Sequence, residues 1–134
     1  MSGEDGVRVV RSGEIGDSSR RLQYGRGVSA ESVGARGICM HMGIVPPGGV
    51  AEPHMHEDHE TALYVVSGRA ATRYGPNLEH SVESVAGDFV YIAAGVPHQP
   101  FNLSETEPAV YIVARTDPNE EESVVLLPQL RREP

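Results

Sequence analysis

Between residues 37 and 128 the sequence repeats one pattern: a short run rich in Val, Ile, Ala and Tyr, then a stop built from Gly or Pro. Runs at 37–45, 61–67, 69–75, 79–85, 88–93, 109–115 and 123–128 read as strands. The stops include Pro46–Gly49, Gly68, Gly75–Asn77, Gly87 and Gly95–Pro97. β-branched and aromatic runs recurring about every 8–12 residues with turn signals between them specify an all-β sandwich or barrel. No segment carries a convincing helical period, and the acidic stretch 117–123 reads as a solvated loop. The N-terminal part is less regular. Short strands are expected at 7–11 and 20–27, followed by a Gly- and Ser-rich connection. Gly25, Gly27 and Ala30 match G-x-G-x-x-A, but neither a clear apolar strand before them nor a good helix after them supports a dinucleotide site. The expected organisation is an N-terminal arm (1–36), a single barrel domain (37–128) and a short tail (129–134).

Composition excludes several functions. The chain has 134 residues and a formal net charge of −8, and every one of its 11 basic residues is Arg. An acidic surface does not suit nucleic-acid phosphates. Without Lys there is no Schiff-base chemistry. The lone Cys39 cannot form an internal disulfide and reads as a buried thiol. No apolar run reaches the roughly 20 residues of a membrane helix, and residues 1–14 do not read as a signal peptide. A cytoplasmic, soluble protein is expected.

Three of the six histidines fall in "EPHMHEDHE", residues 52–60. If the segment after Pro53 is extended, His54 and His56 project from one face and Met55 from the other. Two imidazoles one strand step apart can share a metal ion at about 2.0–2.1 Å each. Glu57, Asp58 and Glu60 are nearby carboxylates, and Glu60 has the parity of the two histidines. His98, in the tight turn "GVPHQPFN", can supply a ligand from another strand. An H-x-H pair in an acidic loop is also common on plain protein surfaces.

The two stretches together resemble the paired motifs of the cupin superfamily. Gly48, five residues, His54-Met55-His56, three residues, Glu60 and then Gly68 is similar to the first motif. Gly87, five residues, Ala93-Ala94-Gly95, two residues, His98, three residues and Asn102 is similar to the second, with Ala93 in place of its proline. The resemblance spans about residues 37–115 and implies a double-stranded β-helix, a jelly-roll barrel with a divalent metal inside. It implies His54, His56, Glu60 and His98 as the ligands, and a homodimer capped by the N-terminal arm. Counted back from Gly68, however, the acidic position falls on Thr61. An extra residue in a bulge reconciles the two counts. Otherwise the site is three histidines plus water, or His59 joins it.

Imidazole and carboxylate ligands suit Fe, Mn, Ni, Zn or Cu. The reading favoured is a metal-dependent enzyme, of dioxygenase or isomerase type, acting on a small organic molecule, with His59 and Asp58 as candidate acid–base groups. A non-catalytic module that senses a small ligand such as a sugar is the alternative. His41 is expected to be structural or to line the pocket, and Tyr64, Tyr74, Tyr91 and Phe101 to pack in the core.

Overall fold

The structure is a computed structural model that describes residues 6–11, 13, 16–17, 22–120 and 123–133. The described residues form eleven strands: β1 (Gly16–Asp17), β2 (Gln23–Val28), β3 (Cys39–Val45), β4 (His54–His56), β5 (Thr61–Ser67), β6 (Arg69–Tyr74), β7 (His80–Val85), β8 (Phe89–Ile92), β9 (His98–Asn102), β10 (Ala109–Arg115) and β11 (Val124–Leu126). They form two antiparallel sheets, ordered β1-β2-β3-β10-β5-β8 and β11-β4-β9-β6-β7. This is the jelly-roll double-stranded β-helix.

Alternation decides which face points inward. In β3 and β10 every second residue is buried: Cys39, His41, Gly43 and Val45, and Ala109, Tyr111, Val113 and Arg115. A slip of one residue would exchange the two faces, so burial of one face pins the register. Val45, Ala70, Ala109, Tyr111 and Val113 form the core cluster, with Leu22 and Leu63 against it. Cys39 is buried, with its thiol free of any disulfide. Gly68 joins β5 to β6 at a φ of +89°, and a Cβ there would lie 2.5 Å from the Pro108 carbonyl oxygen, so no other residue fits without a backbone shift.

Several expectations are corrected. Residues 7–11 belong to no strand. The strand expected at 20–27 is β2 at Gln23–Val28 and extends this chain's own first sheet. One short helix, Ala30–Val33, does form, because Ser29 and Ser32 close a reciprocal capping box and Gly34 ends the turn in the left-handed region. Gly27 serves packing rather than a nucleotide: a Cβ there would meet the Met40 carbonyl oxygen at 2.0 Å.

Strand β9 was hidden by Pro100, which normally argues against a central strand. Pro100 pairs with Thr72 of β6, yet its carbonyl accepts from the Ala51 N–H at 2.9 Å on the opposite side. The missing N–H therefore faces the 49–51 loop, not the β6 ladder, and costs no ladder bond. Among the described residues, no helix is long and apolar enough to cross a membrane.

Candidate metal centre

Three segments converge on one point inside the barrel. Strand β4 is short because Pro53 precedes it and a turn at Glu57–Asp58 follows it. Its two histidines share the inward face, each 2% exposed, while Met55 is less buried. Strand β11 holds β4 from outside, pairing Val124 with His56 and Leu126 with His54. On the other side His54 pairs with His98 at the start of β9. The turn leading to His98 is tied back to β4, since Gly95 N–H donates to the His56 carbonyl at 2.9 Å.

His54, His56 and His98 thus bring one nitrogen each to within 4.8 Å of one another. The ring centroids lie 4.3 Å apart for His54–His98, 5.2 Å for His54–His56 and 5.9 Å for His56–His98. Nitrogens bound at about 2.1 Å to one ion sit roughly 3–4 Å apart, so a small side-chain contraction brings this set to ligating distance.

The tautomers fit as well. Nδ1 of His54 lies 2.7 Å from the Glu52 carbonyl, and Nδ1 of His98 lies 2.9 Å from the Val96 carbonyl. A carbonyl can only accept, so both Nδ1 atoms carry the proton and Nε2 is the basic nitrogen of each ring. Such outer hydrogen bonds orient metal-binding imidazoles.

Glu60 does not join them. Its carboxylate lies on the exposed side and accepts from the Tyr91 hydroxyl at 2.5 Å. That bond, together with burial and the Glu60 charge, raises the tyrosine pKa. The parity argument from His54 and His56 fails because the turn at 57–58 breaks the strand. Counting instead from the inward Val65 and Leu63 puts Thr61 inside, at 2% exposure. A bulge does exist in β5, at the register shift opposite Val110 and Tyr111, but it lies beyond Val65 and cannot turn Glu60 inward. The Thr61 hydroxyl accepts from the Arg115 Nε at 2.7 Å, so a threonine–arginine pair stands where a fourth, acidic ligand was expected.

The other acid–base candidates also face elsewhere. Asp58 is exposed in the turn. His59 Nε2 lies 3.4 Å from Oδ2 of the buried Asp117. Burial raises the Asp117 pKa, but the Ser123 hydroxyl at 2.5 Å, the Asn119 N–H, His59 and the Asn119 amide outweigh it, and the net shift is downward. A carboxyl with a lowered folded pKa adds stability that is present above its unfolded pKa, about 3.9, and is lost as pH falls through the folded value. Asp117→Asn should therefore lose stability at pH 6 and show a flatter decline below pH 4. Urea unfolding across that range measures both, and parallel acid limbs for the two proteins would refute the assignment.

Beside the histidines lies an inner cavity of about 40 Å³, whose wall includes His41, His54, Leu63, His98, Tyr111 and Arg115. His41 is a wall residue, its ring 4.6 Å from that of Tyr24. Arg115 had a readable signal, because it shares the inward parity of Ala109, Tyr111 and Val113. Gln99, fully buried, faces the opposite side of β9. Its amide donates to the carbonyls of Ala51 and Arg132 and accepts from Arg132 N–H, which fastens the final segment beneath the site. The aromatic expectation holds only for Phe101, which is buried; Tyr64 and Tyr91 are exposed.

The cupin domain family matches residues 41–115, more than half of the chain. The chain belongs to that family. No curated protein matches it. Among solved structures, this cupin is similar to an uncharacterised conserved double-stranded β-helix protein from Klebsiella pneumoniae, at TM-score 0.62 and 20% identity over 94% of each chain. It is similar to the oxalate decarboxylase of Lactobacillus farciminis at TM-score 0.70 and 20% identity, covering 85% of this chain but only 33% of that one. It is also similar to the polyketide cyclase RemF of Streptomyces resistomycificus, at TM-score 0.66 and 18% identity over 81% and 78% of the two chains. At these identities the likeness establishes the fold alone.

Proposed function

We propose that this cupin is a metal-dependent enzyme, of dioxygenase or isomerase type, that acts on a small organic molecule. The observation that carries the reading is the meeting of three buried histidines in front of a cavity. A divalent Fe, Mn, Ni, Zn or Cu ion bound there would supply Lewis-acid or redox chemistry at its open positions. The chain's own contribution is orientation and exclusion of water. Glu52 and Val96 fix the rings of His54 and His98 through their carbonyls. The apolar wall of Leu63, Val65, Tyr111 and Val113 lowers the local dielectric, which strengthens each polar contact made inside. The polar side chains in the wall include His41, Thr72, Ser84 and Arg115.

Elemental analysis of the purified protein tests the reading, with one equivalent of transition metal expected. A protein that stays below about 0.1 equivalent after reconstitution would refute it.

We also propose a homodimer formed through the outer face of the first sheet. Two apolar rungs cross four strands there: Met42–Ile112–Tyr64–Phe89 and Met40–Ala114–Ala62–Tyr91. Phe89 is 81% and Tyr91 63% exposed, and neither rung carries a charge although the chain bears −8. A contiguous uncharged face of this kind on an acidic chain suits a second copy, whose identical charge would repel any other approach. Light scattering should give twice the chain mass, and Tyr64→Glu, which sets like charges together across the two-fold axis, should give the monomer. A monomeric parent protein would sink the proposal.

A further inference from the structure

The two sheets are not laddered together along one seam. The first sheet ends on β8 and the second on β7, and among the described strands nothing pairs these two edges. Between them lies a cleft of about 310 Å³ whose lining includes Tyr74, Val82, Val90, Ile92, Val96 and His98. The inward parity of each strand produces it. Val82 shares the face of the buried Ser84, and Val90 shares the face of Ile92. His98, Ile92 and Thr72 line both this cleft and the inner cavity, so the two spaces meet at the histidine cluster.

We propose that the cleft is the subsite for the body of the substrate, and that this body is an uncharged aromatic or branched aliphatic group. An oxygen-bearing head attached to it would sit at the histidines. The head half of this statement rests on the metal-centre reading; the body half does not. Size gives the first reason. The inner cavity, about 40 Å³, is a few times the roughly 10–15 Å³ that one water needs, and it admits only a few atoms. The cleft, at about 310 Å³, reaches the lower end of ordinary ligand pockets. Of the spaces next to the inner cavity, this one shares the His98 wall with it, so the body of a larger substrate with its head at the histidines extends here.

Chemistry gives the second reason. No Asp, Glu or Arg lines the cleft; its polar groups are the hydroxyls of Thr72 and Tyr74 and the His98 ring, since the Tyr91 hydroxyl is turned to Glu60. A sugar or a charged body would leave water for too few partners, whereas an apolar body loses nothing by entering. The cleft thus discriminates against the sugar-type ligand of the alternative reading.

The test has two arms. In the first, metal-free protein is titrated with benzyl alcohol and with glucose, and methyl resonances are followed. Saturable shifts on Val82, Val90, Ile92 and Val96 with benzyl alcohol, and none with glucose, are expected. Shifts on other methyls only, or none, overturn the proposal whatever the metal does. In the second, zinc-loaded protein is titrated with acetohydroxamate and benzohydroxamate. Benzohydroxamate should bind at least tenfold more tightly. Val82→Asp, at a half-exposed site on the edge strand, should cut that preference to about threefold or less without changing acetohydroxamate affinity. Val90→Asp, on β8 at the other edge of the cleft, repeats the comparison if the first variant fails to fold. Equal affinity of the parent for both hydroxamates overturns the subsite. Failure to take up zinc refutes the metal centre and leaves the first arm to decide the cleft.

Discussion

His98→Ala should bind divalent metal at least ~100-fold more weakly than the parent, because loss of an outer hydrogen-bond partner alone costs about 10–100-fold and here a ligand itself is removed. His54 and His56 remain on β4, but two imidazoles one strand step apart cannot enclose an ion. Metal-dependent stabilisation should vanish with the affinity. At a free metal concentration 100 times Kd it amounts to about 2.7 kcal/mol in the parent. Glu60→Ala provides the contrast. Its carboxylate is bonded to the exposed Tyr91 hydroxyl and lies outside the histidine cluster, so metal affinity should stay within about threefold of the parent. Competition titration against a chromogenic chelator reads both variants. A His98→Ala protein with parental affinity would show that the three histidines are only packed together. A large loss in Glu60→Ala would show that the strand turns inward when metal binds.

Those two variants mark where the sequence was readable. Histidine spacing survives translation into structure because His54 and His56 lie on one uninterrupted strand, where parity is reliable. Glu60 lies past a turn, and parity does not pass through a turn. The reliable count for that position runs backward from Val65 and Leu63, whose burial fixes the face of β5, and it selects Thr61. Arg115 follows from the same reasoning on β10, since an arginine at an inward position of an apolar strand must line something. The strand pattern from 37 onward was legible because apolar runs and Gly–Pro stops agree there. Strand β9 was not, since Pro100 breaks the local rule and only the position of the 49–51 loop makes it harmless. The homodimer face is visible only once the ladders are known. Met40, Tyr64, Phe89 and Ile112 are scattered in sequence and meet through register.

Asn102→Ala should produce a large loss of stability without touching the histidines. The Asn102 side chain is buried where β9 ends, and its Nδ2 faces three carbonyls: Val45 at 3.1 Å, Pro46 at 3.1 Å and Glu107 at 2.8 Å. Its Oδ1 accepts from the Ser104 N–H at 2.8 Å. One amide thereby joins the end of β3, the end of β9 and the turn that leads into β10. Alanine leaves the Glu107 carbonyl and the Ser104 N–H without this partner, at about 1–3 kcal/mol each where no water reaches them, while the Pro46 carbonyl still accepts from the Gly49 N–H. Allowing for partial relaxation, the expected loss is roughly 3–4 kcal/mol, a large part of the ~5–15 kcal/mol typical of a folded domain. Asn102→Asp should be no better. It keeps the acceptor for Ser104 but turns the donor into a second acceptor facing three carbonyls. Thermal unfolding of the metal-free proteins separates this effect from metal binding, and a loss below about 1 kcal/mol for Asn102→Ala would mean that the amide does not hold these segments together. Metal affinity measured well below the lowered melting temperature should stay near the parent's, because His98 is fixed by the turn at 93–97 and by β4, at the other end of β9. The second motif then divides its labour along one strand: His98 faces the chemistry, and four residues later Asn102 holds the barrel that presents it.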